Sequence, residues 1–143
     1  MMRALATAAL VWSGAAVAAP TRVVSLNLCT DELVLLLAAP GQLASVSFLG
    51  ADGNETALAP RSRGLPTNNG RLDSVVALAP DLVFTGGGSD RYARELAARL
   101  KLRVVDVPPP QSIADIRRNI ASVAAALGRD ATGAALIAQF DAA

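Results

Sequence analysis

Histidine is absent from all 143 residues. That removes Ser-His-Asp and Cys-His catalysis and the histidine-containing zinc sites. Aromatic residues make up only 3% of the chain, so a core has to be assembled from Leu, Val, Ile and Ala. Cys29 is the sole cysteine, which excludes an intrachain disulfide. Charge is balanced, at +1 with no basic cluster, so nucleic acid is not an expected partner. The sequence also lacks paired carboxylates, metal-spaced ligands and any nucleophile beside a base. It therefore supports no catalytic role and implies no cofactor or metal.

What is present begins with an export signal over residues 1–18. Arg3 supplies a positive start, Ala4 to Val11 a short apolar run, and Ala16-Val17-Ala18 a small-x-small cleavage pattern. The run is interrupted by Thr7 and Ser13 and falls short of the roughly 18–20 apolar residues that span a bilayer. Secretion through this signal is the expectation.

Beyond the leader, strands and helices alternate. RVVSL at 22–26 reads as a first strand and Asn27 to Thr30 as the loop after it, with Thr30 capping a leucine-rich helix over 31–39. Residues 43–49 read as a second strand, and 50–69 as a long irregular connection. In LDSVVALAPDLVF, at 72–84, Leu72, Val75, Val76 and Ala79 share a helical face, Pro80 stops the helix, and Leu82-Val83-Phe84 forms a buried strand. Gly86-Gly87-Gly88 follows at once. A helix over 90–101 presents a Tyr92-Leu96-Leu100 stripe, 102–107 is a further strand, and Pro108 to Pro110 a stiff connector. Ser112 caps a helix carrying Ile113, Ile116, Ile120, Val123 and Leu127, which Gly128 ends; Asp130 caps a last helix. This order predicts an α/β fold, a parallel sheet flanked by helices, with the loops after Leu26, Leu49, Thr85 and Val107 on one edge.

Three stretches carry a resemblance: RVVSLNLCTDELVLLL at 22–37, GRLDSVVALAPDLVF at 70–84, and residues 111–140. The chain resembles the N-terminal lobe of periplasmic substrate-binding proteins of iron-siderophore, haem and cobalamin ABC importers. The resemblance implies a lobe over 19–130 and, over 131–143, the start of the helix that joins two lobes. The second lobe has no counterpart, so half of a binding protein is expected. The implied ligand is a ferric siderophore or corrinoid-type chelate, and the implied partner an ABC permease dimer in the inner membrane. Three loops would line the ligand cleft: Asn27, Leu28, Cys29 and Thr30; Phe48, Leu49 and on to Thr67, Asn68 and Asn69; and Gly86, Gly87, Gly88 and Ser89. Asp73 matches the acidic residue with which the family docks on permease arginines.

Each assignment has a plainer counterpart. The glycine run is either a ligand-facing loop or a turn that needs positive φ. Cys29 reads as a small buried or half-buried residue rather than a reactive thiol. Asp73 also suits a helix start electrostatically. Arg61, Arg63 and Arg71 either pair a chelate's carboxylates or merely solubilise the loop. Asp106 lies near the place of a ribose-binding acid, which keeps a Rossmann-like nucleotide-binding enzyme fragment as an alternative; a non-binding truncated fragment is the third reading.

Overall fold

The computed structural model describes residues 18–88 and 91–143. The export signal thus lies, but for Ala18, outside the described residues, as does Ser89. Five short parallel strands form one sheet: β1 Val23–Ser25, β2 Leu43–Ser47, β3 Thr67–Asn68, β4 Leu82–Thr85 and β5 Val104–Asp106, in the order β3-β2-β1-β4-β5. Among the described residues four α-helices accompany them: α1 Leu28–Leu37, α2 Arg91–Leu100, α3 Ile113–Leu127 and α4 Asp130–Ala142. No described helix is long and apolar enough to cross a membrane.

Period-two alternation along the central strands divides the core in two. Val23, Leu82 and Phe84 point to the face covered by α1 and α3, where Leu37, Val123 and Leu127 are also fully buried. Val24 and Val83 point to the other face, against Leu72, Val75 and Ala97. Both faces of β1 and β4 are therefore covered, as the apolar pairs and runs Val23-Val24 and Leu82 to Phe84 require.

Several boundaries differ from expectation for local reasons. Asn27, not Thr30, caps α1: its Oδ1 accepts the Thr30 N–H at 2.9 Å, so Leu28 to Thr30 are the helix's first turn rather than a loop. The connection over 50–69 contains two 3-10 turns, Leu49–Ala51 and Ala59–Ser62, and ends in the short strand β3. Residues Leu72–Leu78 wind as a 3-10 helix instead of an α-helix. The segment is short, carries the β-branched pair Val75-Val76, and ends at Ala79, which Pro80 bars from the right-handed α region. Ala79 turns left-handed instead, at φ 47°. Asp130 is the first residue of α4 rather than its cap, a position held by Arg129.

The Pro80-Asp81 turn also anchors the start of the sheet. The Asp81 carboxylate accepts the backbone N–H groups of Thr21 at 2.7 Å and Arg22 at 3.0 Å. Arg22 in turn donates from its guanidinium to the carbonyls of Leu78 and Ala79. A second anchor is buried. Asp31 is fully enclosed and accepts the Ser47 N–H at 3.0 Å and the Ser47 hydroxyl, tying α1 to the end of β2.

Candidate ligand cleft

The strand order determines where a cavity can open. From β1 the chain leaves for α1 on one face; from β4 it leaves for α2 on the other. Between two neighbouring strands whose loops part in this way lies a crevice at their C-terminal ends. A cleft of about 270 Å³ occupies it. It is lined by Leu26 and Asn27, by Gly70 to Asp73, by Thr85 to Gly88, and by Tyr92 and Ala93.

At Gly86 and Gly87 the cleft is lined by backbone, because a side chain would not fit at either. A Cβ on Gly86 would stand 1.2 Å from Asn27 Nδ2, so the capping amide of α1 lies directly over this residue. Gly87 has φ 82° and sits against Pro109, 2.8 Å from where its Cβ would be. Asp106, at the end of β5, holds the loop in place: its Oδ1 accepts the Thr85 hydroxyl at 2.6 Å and the Gly87 N–H at 2.8 Å. The carboxylate weighed for a ribose is thus engaged within the protein's own glycine loop. Gly87 and Gly88 take the positive φ expected of a turn, and all three glycines line the cleft.

On the wall, Arg71 and Asp73 form a two-pronged ion pair, Nε to Oδ1 at 3.2 Å and Nη2 to Oδ2 at 3.1 Å. The hydrogen bond from Arg71 holds the Asp73 carboxyl below its ordinary value. Both side chains are well exposed, so the pair adds little to stability; it presents polarity to the cleft.

Of the residues named from sequence, Asn27, Arg71, Asp73, Gly86, Gly87 and Gly88 come together here. The other described ones lie elsewhere. Leu28 is half-buried in the first turn of α1. Thr30 is fully buried, its hydroxyl 2.7 Å from that of Ser25. Cys29 is exposed, contrary to expectation, and opens on a separate apolar groove of about 320 Å³ between α1, α3, α4 and Pro108 to Pro110. Phe48 is exposed just past β2, Leu49 half-buried behind it, and Thr67 exposed on β3. Asn68 is buried and structural: its amide donates at 2.9 Å to the Ser25 carbonyl and to the Ser45 hydroxyl. Asn69 is exposed and accepts the Arg71 N–H at 3.1 Å. Arg61 and Arg63 sit beside the end of α1, with Ala38 to Gly41, remote from the strands' C-terminal edge.

Tyr92 is the cleft residue that the sequence reading put to another use. The sequence sets a Tyr92-Leu96-Leu100 stripe with Ala93 and Ala97 beside it; in the structure Tyr92 and Leu100 are exposed. The face of α2 that meets the sheet is Ala93, Leu96 and Ala97.

Solved structures share this fold. A periplasmic haem-binding protein from Pseudomonas aeruginosa aligns with TM-score 0.69 and 19% identity over 85% of this chain and 43% of its own. The vitamin B12 binding protein BtuF of Vibrio cholerae gives TM-score 0.65 and 17% identity over 85% of this chain and 47% of its own. The molybdate-binding protein MolA of Haemophilus influenzae gives 0.65 and 19% over 82% and 44%. The chain spans less than half the length of each of these. No curated protein matches it. A model of the periplasmic binding protein family, however, matches residues 23–143, and the chain belongs to that family.

Proposed function

We propose that this chain is the N-terminal lobe of the solute-binding component of an ABC importer. Its residues 1–18 direct export to the periplasm, and its ligand is a ferric siderophore or a related metal chelate, with cobalamin or haem as further members of that class. The observation that carries the reading is the cleft at the β1/β4 crevice, walled by backbone amides, the Arg71–Asp73 pair and one aromatic ring. Glycine amides and a guanidinium suit the anionic oxygens of a chelate. That structural relatives are named for haem, vitamin B12 and molybdate supports a small metal-containing solute.

In this reading the mechanism is capture and delivery. The lobe supplies one wall of the site and a second lobe closes on it through the helix that α4 begins. The loaded protein then docks on the permease dimer through exposed carboxylates, of which Asp73 is this lobe's. Calorimetric titration of a two-lobed protein that carries this lobe, with a ferric siderophore, haemin and cyanocobalamin, tests the ligand class. Saturable binding of at least one is expected, and a folded protein that binds none overturns the reading. In a two-lobed protein that carries this lobe, Asp73→Arg is expected to impair uptake while leaving ligand affinity within about threefold, because the residue sits on the exposed rim. Equal loss of both would refute the docking role.

A further inference from the structure

Charge is spread unevenly over the fold. Residues 91–103, which are α2 and the turn into β5, hold Arg91, Arg94, Arg99, Lys101 and Arg103 against one carboxylate, Glu95. The whole chain is only +1, so the remainder is acidic on balance. The basic residues form no run in the sequence; the fold gathers them. Ala93, Leu96 and Ala97 seat α2 on the sheet, and all five basic residues are exposed. Helix stability accounts for only part of this charge. Arg99 and Lys101 suit the C-terminal end of α2, but Arg91 and Arg94 stand near its start, where the dipole disfavours cations and the first turn holds no acid. Arg91 pairs with Glu95 at 2.7 Å. Arg99, Lys101 and Arg103 have no carboxylate within ion-pairing distance among the described residues. The nearest acid downstream, Asp106, is engaged by Thr85 and Gly87.

We infer that the exposed side of α2, with its turn into β5, is a docking surface for an anionic lipid bilayer. The partner is read from charge complementarity. Four of the five cations are arginines, whose forked donors match lipid phosphates, and a broad anionic surface can meet all five at once. Leu100 stands between Arg99 and Lys101 and is 43% exposed, an apolar side chain set among cations as in helices that lie at the headgroup boundary. The apolar face of α2 stays on the sheet, so the contact is peripheral and mainly electrostatic. It is therefore reversible and weakened by salt. The inference goes beyond the solute-binding reading and depends on no particular ligand.

The test is vesicle co-sedimentation of residues 19–143, because both hydrophobic clusters of the fold draw on no residue before Val23. Melting curves control for folding. The probes are vesicles of phosphatidylcholine alone, vesicles of phosphatidylcholine and phosphatidylglycerol in equal parts, and soluble polyglutamate. Wild type is expected to bind the anionic vesicles and not the neutral ones, and to be released between about 0.05 M and about 0.5 M salt. Arg99→Gln, Lys101→Gln and Arg103→Gln together should weaken that binding at least about tenfold, since each basic residue near such a surface adds a several-fold gain. Arg61→Gln, Arg63→Gln and Arg118→Gln remove the same charge from other parts of the molecule and should change binding by less than about threefold. Equal loss in both triple variants overturns the inference, because net charge alone then explains the binding. Equal binding to neutral vesicles, or binding to neither vesicle, also overturns it. Binding to polyglutamate without binding to anionic vesicles overturns it in favour of an acidic protein surface. None of these outcomes touches the solute-binding reading, which is tested by its own titration.

Discussion

Replacing Gly86 by alanine probes the contact that closes the cleft floor. The new Cβ would lie 1.2 Å from Asn27 Nδ2, 2.3 Å from its Cγ and 2.8 Å from its Oδ1. Rotating the amide does not relieve three such contacts; the whole side chain has to leave. Leaving breaks the α1 cap, because Asn27 Oδ1 accepts the Thr30 N–H at 2.9 Å and the Thr30 hydroxyl at 3.2 Å. Loss of an N-cap costs about 1 kcal/mol and up to about 2. The backbone adds no penalty, since Gly86 is not among the glycines with positive φ. Gly86→Ala should therefore destabilise by about 1–2 kcal/mol, or roughly 4 °C of melting temperature per kcal/mol in a chain of this size. The cause is separable from other effects by a double-mutant cycle. Asn27→Gly alone should cost a few tenths of a kcal/mol, because glycine serves acceptably as an N-cap. In that background the alanine methyl no longer meets the amide, and Gly86→Ala should be neutral or slightly stabilising through the unfolded chain. A coupling of about 1 kcal/mol, measured by urea denaturation of the four proteins, is the expected result. Costs that add to within about 0.3 kcal/mol would refute the contact.

Two other perturbations address the frame around the cleft. Asp31→Ala strands the buried Ser47 N–H without an acceptor and should cost about 2–3 kcal/mol in urea denaturation; a loss under about 0.5 kcal/mol would show that Ser47 finds another partner. Asp81→Asn should cost about 1 kcal/mol at neutral pH, modest because the site is exposed. Its pH dependence has a defined sign. Partial desolvation pushes the Asp81 carboxyl up, but the N–H groups of Thr21 and Arg22 outweigh it and hold the group below its ordinary value. The contribution is thus fully present above the unfolded carboxylate value of about 3.9 and is lost as pH falls through the lower folded value. The gap between wild type and Asp81→Asn should be constant from about pH 5 to 7 and narrow below about pH 4; a gap that widens there would overturn the assignment.

The architecture was readable because it rests on periodicities that packing enforces. Leu82 to Phe84 is an apolar run and proves to be a strand buried on both faces; Ser112 and Gly128 bracket α3 as their chemistry demands. Where sequence reasoning misplaced an element, two local signals competed. Asn27 and Thr30 are both good caps, and the choice between them depended on Gly86, sixty residues away, leaving room for the Asn27 amide. The 72–78 segment has a helical apolar pattern that a 3-10 helix satisfies equally over so short a span. Strand β3 was missed because two residues carry no pattern; it exists because Val46 and Ser47 offer an edge to pair with. The site was only partly readable for the same reason. The glycines announce themselves locally, whereas Asn68 and Thr30 looked like exposed polar loop residues and are buried by tertiary contacts.

Two carboxylates near the strands' C-terminal edge make the same kind of bond, and this bears on which residues recognise a ligand. Asp31 binds the backbone of Ser47 at the end of β2, and Asp106 binds the backbone of Gly87 after β4. Each uses its charge to fix the loop of a neighbouring strand, and charge-assisted bonds to N–H groups are among the stronger ones available. Together with the Asn27 cap they hold the floor of the crevice in one arrangement. On the proposed solute-binding reading, a floor fixed in this way leaves discrimination to the rim, where Arg71 and Tyr92 are exposed. Changes to Arg71 or Tyr92 should then alter affinity with little effect on stability, while changes to Asn27, Asp31 or Gly86 should lower stability first. The two sets of residues are therefore separable by experiment, although they line a single edge of one sheet.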